Sequence, residues 1–131
     1  MRWAEAAALL SGLVLAGCAS PPDTDQCVDI RQVPCDGGFL DDSGAWVSGP
    51  WQGPLIAYPA LTTLEFCHGL GRAPTSVELW ASFEPTGNVA QQIGNVATVV
   101  PFCGARPGIT DRSVLLRNGG GQDFYVRVVF R

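Results

Sequence analysis

Apolar and polar side chains alternate most clearly over residues 76–83. One face of an extended chain there carries apolar residues: Val77, Leu79, Ala81 and Phe83. The opposite face carries the residues between them: Glu78, Trp80 and Ser82. A period of two residues is typical of a strand with one buried face, so this segment predicts a half-buried antiparallel strand.

Other segments are rich in β-prone residues and are bounded by glycine or proline turns, which also predicts strands. They cover residues 55–58, 62–67, 96–100, 113–117 and 124–130. In the last of these, one face is again apolar, with Phe124, Val126, Val128 and Phe130. The glycine-rich residues 118–121 predict a hairpin before it. Residues 36–54 are loop-like, with room for short strands between their glycines and prolines.

Helical spacing of apolar residues is absent after residue 17, so the fold class predicted for the rest of the chain is all-β. Six to eight short strands separated by turns are typical of a small antiparallel β-sandwich. The hydrophobic content of 47%, with 16 Gly and 10 Pro, favours one compact, turn-rich domain over disorder. A net charge of −4 gives no basic stripe for phosphate backbones and argues against nucleic acid as a partner.

The N-terminal segment has the features of an export signal. Arg2 precedes an apolar run over residues 6–16, which is shorter than the roughly 20 residues a membrane helix needs. The run ends in Leu15-Ala16-Gly17-Cys18, which resembles the lipobox of bacterial lipoproteins. That resemblance implies a cleaved signal peptide over residues 1–17 and a lipid on Cys18. An ordinary secretory peptide cut after Ala19 is the alternative.

Lipidation at Cys18 implies that the lipid bilayer is a partner and that the protein is held at the cell envelope. Residues 18–26 are polar and contain proline, which suits a tether, and residues 27–131 form the expected β-sandwich domain. By resemblance to lipoprotein sorting, Ala19 rather than aspartate after the lipidated cysteine favours the outer membrane where the organism has one.

The cysteine count supports the same interpretation. Assigning Cys18 to the lipid leaves an even number, Cys27, Cys35, Cys67 and Cys103, which in an oxidising compartment predicts two disulfides. Three connectivities are possible, and we favour Cys27–Cys35 and Cys67–Cys103. Zinc is a weaker interpretation because the chain has no CxxC pair, and no metal or other cofactor is expected.

A second resemblance involves the C-terminal half. A strand ending in Phe66-Cys67-His68 is followed by the turn Gly69-Leu70-Gly71-Arg72-Ala73-Pro74 and by the strand at 77–83. After a variable stretch come two closing strands, the second of which contains Phe124-Tyr125-Val126-Arg127-Val128. This order resembles the small β-sandwich of H-type lectins and of the carbohydrate-binding tips of phage tail fibres. The resemblance implies a sandwich and carbohydrate binding, but it transfers no sugar-contacting residue to this chain.

Catalytic chemistry has little support in the sequence. His68 is the only candidate general base at neutral pH, and no Gly-x-Ser-x-Gly turn occurs. A histidine that hydrogen-bonds its own turn is the favoured interpretation. Three acidic residues are expected on solvated strand faces or turns, namely Glu65, Glu78 and Glu84. Three others in a glycine-rich loop lack the spacing of a calcium site and are expected to be solvated: Asp36, Asp41 and Asp42.

Aromatic residues are the best candidates for ligand contact. Trp46, Trp51 and Tyr58 lie among glycines and prolines, where rings could stack on sugars, although packing in the core is the expected role of at least two of them. With His68 they form the candidate ligand-binding set. The sequence therefore predicts a membrane-anchored binding module, and the second resemblance implies carbohydrate as its ligand. A structural or assembly lipoprotein that recognises another envelope protein is the alternative, and a hydrolase ranks third.

Overall fold

A computed structural model of the chain describes residues 24–86, 91–92 and 97–131. The predicted signal peptide, the lipidation site Cys18 and most of the predicted tether lie outside the described residues. Within the described ranges, no helix has both the length and the apolar character needed to cross a membrane.

The described part of the chain consists of short strands and two 3-10 helices. The strands are β1 (Arg31–Val33), β2 (Phe39–Leu40), β3 (Trp46–Val47), β4 (Ile56–Tyr58), β5 (Thr62–Cys67), β6 (Val77–Ser82), β7 (Gln91–Gln92), β8 (Ala97–Val99), β9 (Phe102–Cys103), β10 (Arg106–Pro107), β11 (Ser113–Asn118) and β12 (Phe124–Phe130). The 3-10 helices cover Thr24–Cys27 and Cys35–Gly37. The predicted all-β class is confirmed, and the six strands expected from the sequence correspond to β4, β5, β6, β8, β11 and β12.

Two sheets form the sandwich. The first has the strand order β1-β5-β11-β8, and the second has the order β2-β3-β12-β6-β7, with β4 also paired to β12. Strands β9 and β10 form a separate two-stranded sheet. One edge of the first sheet departs from the antiparallel pairing found elsewhere, because β1 runs parallel to β5. After β1 the chain contributes β2, β3 and β4 to the other sheet before it returns as β5, so no hairpin forces these neighbours to be antiparallel.

The core lies between the sheets. The predicted inner face of β12 is confirmed, since its apolar residues pack against apolar residues of β5 and β11. Val77, Leu79 and Ala81 of β6 also face this core, as the alternation predicts. Phe83 does not, because β6 ends at Ser82 and the Phe83 side chain is 66% exposed. Its ring instead packs against Phe124, with ring centroids 5.2 Å apart.

Two disulfides are present, as predicted, but their connectivity differs from the one favoured above. Cys27 bonds to Cys103 and Cys35 bonds to Cys67. The extended strand β1 lies between Cys27 and Cys35 and holds them apart. Because β1 runs parallel to β5, with Val33 level with Phe66, the chain brings Cys35 to Cys67 at the end of β5. Cys27 is then left to meet Cys103 in β9.

The outer face of the first sheet is covered, which corrects the expectation for Glu65. Glu65 is buried and forms an ion pair with Arg106 of β10. Leu115 of β11 is also buried on this face, and its N–H donates to the Gly108 carbonyl at 2.8 Å. The segment that contains the β9-β10 hairpin therefore shields this sheet from solvent.

Candidate functional site

The structure does not bring the four sequence-predicted ligand residues together. Trp46 lies in the core, 3% exposed, and its ring stacks on Phe130 at a centroid distance of 5.7 Å. A Cβ atom at Gly38 would lie 1.9 Å from the Trp46 ring, so this contact requires glycine at that position. Tyr58 is also fully buried. Trp51 is 48% exposed and is the only one of the four that can contact a ligand without rearrangement of the core.

His68 is buried at the end of β5 and uses both ring nitrogens in local hydrogen bonds. Nε2 lies 3.0 Å from the Thr110 carbonyl oxygen, and the Leu70 N–H donates to Nδ1 at 3.2 Å. This pattern assigns the ring proton to Nε2. The ring also contacts Phe130 edge-on, with centroids 5.5 Å apart. His68 thus stabilises its own turn, as the sequence favoured.

The acidic loop residues show a local role for Asp41. One of its carboxylate oxygens accepts hydrogen bonds from the Ser43 N–H and hydroxyl and from the Ala45 N–H, at 2.9, 2.6 and 3.0 Å. These bonds, above all that from the Ser43 hydroxyl, lower the pKa of the Asp41 carboxyl. No group of three or more potential metal ligands occurs among the described residues.

The most distinctive surface is on the outer face of the second sheet. Strands β3 and β4 both pair with β12, at its C-terminal and N-terminal halves respectively, and the chain between them leaves the sheet as the loop 48–55. At its tip a turn is closed by the Gly53 N–H, which donates to the Pro50 carbonyl at 2.9 Å. Trp51 follows Pro50 in this turn, and its side chain is half-exposed.

Arg127 holds the loop 48–55 against the outer face of the second sheet. It lies in the middle of β12 on the outer face and is 2% exposed. Its guanidinium donates to the carbonyls of Trp51 and Gly53 at 3.0 and 2.9 Å. The guanidinium carbon lies 5.3 Å from the centroid of the Trp51 ring, a cation–π contact. Burial lowers the pKa of Arg127, because the charged form loses hydration.

Trp80 completes the cluster, which we call the Trp51 platform and define as Trp51, Trp80 and Arg127. Trp80 lies directly opposite Arg127 in the pairing of β6 with β12. Its ring meets the Trp51 ring edge-on, with centroids 5.6 Å apart and planes at 87°. It also packs against a small apolar patch of the same face: Ala45, Val47 and Val129. The Trp80 Nε1 atom is buried and has no hydrogen-bond partner in the part of the chain that the structure describes.

Sequence reasoning did not single out Trp80 or Arg127. A usable signal was present, because the alternation in β6 placed Trp80 on the face opposite the core. Arg127 lies between the inward-facing Val126 and Val128 and so shares that outward face. The pairing of β6 with β12, which makes them neighbours, was not available from the sequence.

Comparisons with known proteins give no match for this chain. No protein-family model matches the chain, and searches of curated proteins and of solved structures give no match. The resemblances to lipoproteins and to H-type lectins therefore stay predictions, and the function is argued from the residues of this chain.

Proposed function

We propose that this chain is a lipid-anchored envelope protein whose β-sandwich is a carbohydrate-binding module. The observation that carries the proposal is the exposed Trp51 ring, held over the buried Arg127 and against Trp80. Tryptophan is highly buried on average, so a half-exposed ring fixed by several contacts favours a role in recognition.

Stacking on sugars needs a flat apolar surface that stays in place. The Trp51 backbone is hydrogen-bonded to Arg127, and its ring contacts both the guanidinium and the Trp80 ring. A ring already held in one orientation loses little conformational entropy when a ligand stacks on it. The C–H face of a pyranose ring offers the matching apolar surface. These features support carbohydrate as the ligand class.

The anchoring part of the proposal rests on the lipobox-like tetrapeptide that ends at Cys18. The disulfide-bonded state of the other four cysteines fits export to an oxidising compartment. The test is labelling with radioactive palmitate. Wild type should take up label and Cys18→Ser should not, because only the thiol accepts the lipid. Equal labelling of both proteins contradicts the anchor.

The binding part is tested on a glycan array with the mature protein in detergent. Trp51→Ala should weaken binding of any recognised glycan by about 1–3 kcal/mol, as loss of a central aromatic anchor does. Phe102→Ala is the matched control, because Phe102 is another exposed ring but lies in the β9-β10 hairpin, outside the second sheet. Equal loss in both variants, or no glycan bound by wild type, contradicts the carbohydrate proposal.

A second candidate, recognition of another envelope protein, is favoured by one observation. Strand β2 lies at the edge of the second sheet, and its two residues, Phe39 and Leu40, are both exposed. An apolar edge strand can pair with an extended segment of a partner. Photo-crosslinking from position 40 in whole cells should then trap a protein, and Leu40→Lys should abolish a complex that Trp51→Ala leaves intact.

A further inference from the structure

One end of the sandwich carries exposed apolar side chains from both sheets. In the first sheet, Val28 precedes β1 and Leu61 precedes β5, and both side chains are more than half exposed. They line one cleft, because β1 and β5 run parallel and begin at the same end. In the second sheet, Phe83 follows β6 and is also more than half exposed. Its ring packs against Phe124, the first residue of β12.

The two sheets meet at this end through the turn that joins β4 to β5. The Ala60 N–H, next to Leu61, donates to the Asp123 carboxylate at 2.8 Å. Asp123 immediately precedes β12 and thus the aromatic pair of the second sheet. Exposed apolar residues that are grouped in this way mark sites of interaction, whereas isolated ones do not. We call this surface the apolar end and define it as Val28, Leu61 and Phe83.

The backbone of Leu61 provides an independent observation, because its φ is +54°. That left-handed conformation favours glycine or asparagine, and a bulky apolar residue adopts it rarely. Since Leu61 is also exposed, neither its conformation nor its contact with water favours leucine in the isolated domain. Unfavourable backbone conformations are concentrated at functional sites. An apolar partner that covers Leu61 accounts for leucine in this turn.

The N-terminal segment indicates which partner lies beside this end. Thr24, the first residue that the structure describes, follows the proposed lipid site Cys18 by six positions. Six extended residues span at most about 20 Å, which is less than the roughly 30 Å width of a compact domain of about 100 residues. From Thr24 the chain reaches Val28 directly, and Cys27 is held to the domain by its disulfide to Cys103. A lipid on Cys18 therefore keeps the apolar end close to the bilayer.

We propose that the apolar end docks on the bilayer that holds Cys18, with its three apolar side chains inserted at the boundary between headgroups and acyl chains. The inference rests on the proposed lipid anchor and adds the face by which the domain meets the membrane. Removal of apolar surface from water drives the insertion. The Trp51 platform lies over the middle of β12, so it stays accessible on the side of the docked domain.

The charged residues at this end fit a phospholipid surface without requiring an anionic one. Arg31 and Arg117 line the cleft together with Asp29. Arginine can lay its aliphatic stem along apolar surface while the guanidinium reaches a phosphate. The exposed carboxylate of Glu84, which follows Phe83, opposes attraction to anionic lipid. Docking is therefore expected on zwitterionic phosphatidylcholine, and added salt should change it little.

The test is photo-crosslinking from the mature, lipidated protein reconstituted in phosphatidylcholine vesicles. With Phe83→benzoylphenylalanine, irradiation should form an adduct with lipid that mass spectrometry detects. The matched control is Phe39→benzoylphenylalanine, because Phe39 is an exposed phenylalanine of β2. Through β3 it is level with Val129, which lies about 17 Å along β12 from Phe124. The control should give no lipid adduct.

Leu61→Asn measures the apolar contribution. Asparagine tolerates the left-handed conformation better than leucine, so the urea midpoint of this variant should equal or exceed that of wild type. Loss of one inserted leucine side chain weakens the docking equilibrium about tenfold. The yield of lipid adduct from position 83 should therefore fall several-fold. Leu40→Asn is the matched control, because Leu40 is an exposed leucine of β2 at the other end of the sandwich, and it should leave the yield unchanged.

The outcomes separate docking from anchoring. A protein that takes up palmitate but gives no lipid adduct from position 83 overturns docking and leaves the anchor standing. Equal lipid adducts from positions 83 and 39, or a yield that Leu61→Asn does not change, also overturn docking. Crosslinking from position 83 to a second copy of the chain or to another protein, in place of lipid, does the same. A protein that takes up no palmitate and does not float with the vesicles removes the proposed anchor itself.

Discussion

Replacing Tyr58 by phenylalanine should stabilise this protein. The Tyr58 side chain is completely buried on β4, and its hydroxyl has no hydrogen-bond partner among the described residues. The ring itself contacts Phe66 edge-on, with centroids 6.5 Å apart, and phenylalanine preserves that contact. Tyr58→Phe therefore removes only the group that burial penalises.

The expected magnitude is a balance of two effects. An unpaired buried hydroxyl costs about 1–3 kcal/mol of desolvation. Deleting one oxygen atom leaves a small void, and the lost contacts offset part of the gain, by less than about 1 kcal/mol. The net effect should be a gain of about 1 kcal/mol in the free energy of unfolding. For a domain of this size that corresponds to a rise of about 4 °C in Tm.

The pH dependence gives a second measurement of the same group. Burial raises the pKa of Tyr58, whereas an unfolded tyrosine ionises near its ordinary value of about 10. The neutral form is therefore favoured in the folded state. Below pH 10 both states keep the proton, so the ionisation of Tyr58 does not affect the free energy of unfolding. As pH rises above 10, the unfolded state releases the proton first, and the free energy of unfolding falls. Tyr58→Phe should lose less stability above pH 10 than wild type.

Urea denaturation followed by tryptophan fluorescence measures both effects. Tyr125→Phe is the control, because Tyr125 is only half-buried on the outer face of β12 and its hydroxyl is not among the buried, unpartnered polar atoms of the described residues. That variant should match wild type within about 0.5 kcal/mol. A loss of about 1 kcal/mol or more in Tyr58→Phe refutes the reasoning, since it means that the hydroxyl makes a hydrogen bond in solution.

Three further predictions address the core, the disulfides and the acidic turn. Trp46→Ala should lose about 3–5 kcal/mol in chemical denaturation, because the ring is stacked in the core, and no loss would contradict that placement. Cys103→Ser and Cys67→Ser should each lose about 4 kcal/mol, since the disulfides join residues separated by 76 and 32 positions. In each variant, non-reducing peptide mapping should find the other disulfide intact, whereas a free Cys67 thiol in Cys103→Ser would contradict this connectivity. Asp41 has a lowered pKa, so its stabilisation is present above the unfolded value near 3.8 and is lost as pH falls below it. Asp41→Asn should therefore flatten the loss of stability in urea melts on acidification, and an unchanged acid profile would contradict the role of its hydrogen bonds.

The inner faces of β6 and β12 were predictable from sequence because each strand has one buried face and therefore a period of two. Phe83 was predicted on the inner face of β6, but it lies beyond the end of the strand and is exposed. At Ser82 the hydroxyl accepts a hydrogen bond from the Glu84 N–H at 3.0 Å, which turns the chain out of the sheet. The apolar alternation continues one residue further than the hydrogen bonding does. Periodicity alone does not report this difference.

The disulfide connectivity was not predictable because it depends on strand β1. Its residues, Arg31, Gln32 and Val33, show no apolar alternation, and most of its surface is exposed. The strand exists because it pairs with β5, which is remote in sequence. Without β1 in place, the short segment between Cys27 and Cys35 suggests a local loop and hence the wrong bond.

The contrast between Trp46 and Trp51 shows why the site needed the three-dimensional structure. Both residues are tryptophans near glycine and serine in one loop-like stretch. Trp46 pairs with Phe130, so the two side chains share the inner face of the sheet. At Ser48 the chain is held to Val128 by two hydrogen bonds of 3.0 Å and then leaves the sheet.

From Ser48 onwards the local pattern no longer decides where a side chain points. The position of Trp51 is set by Arg127, which lies 76 residues further along the chain and donates to its carbonyl. A side chain on an exposed loop is usually mobile, because the loop makes few contacts with the rest of the protein. Here a strand residue supplies those contacts from beneath the loop. This arrangement leaves the outer face of the ring free while the backbone is fixed, which is the condition that stacking on a sugar requires.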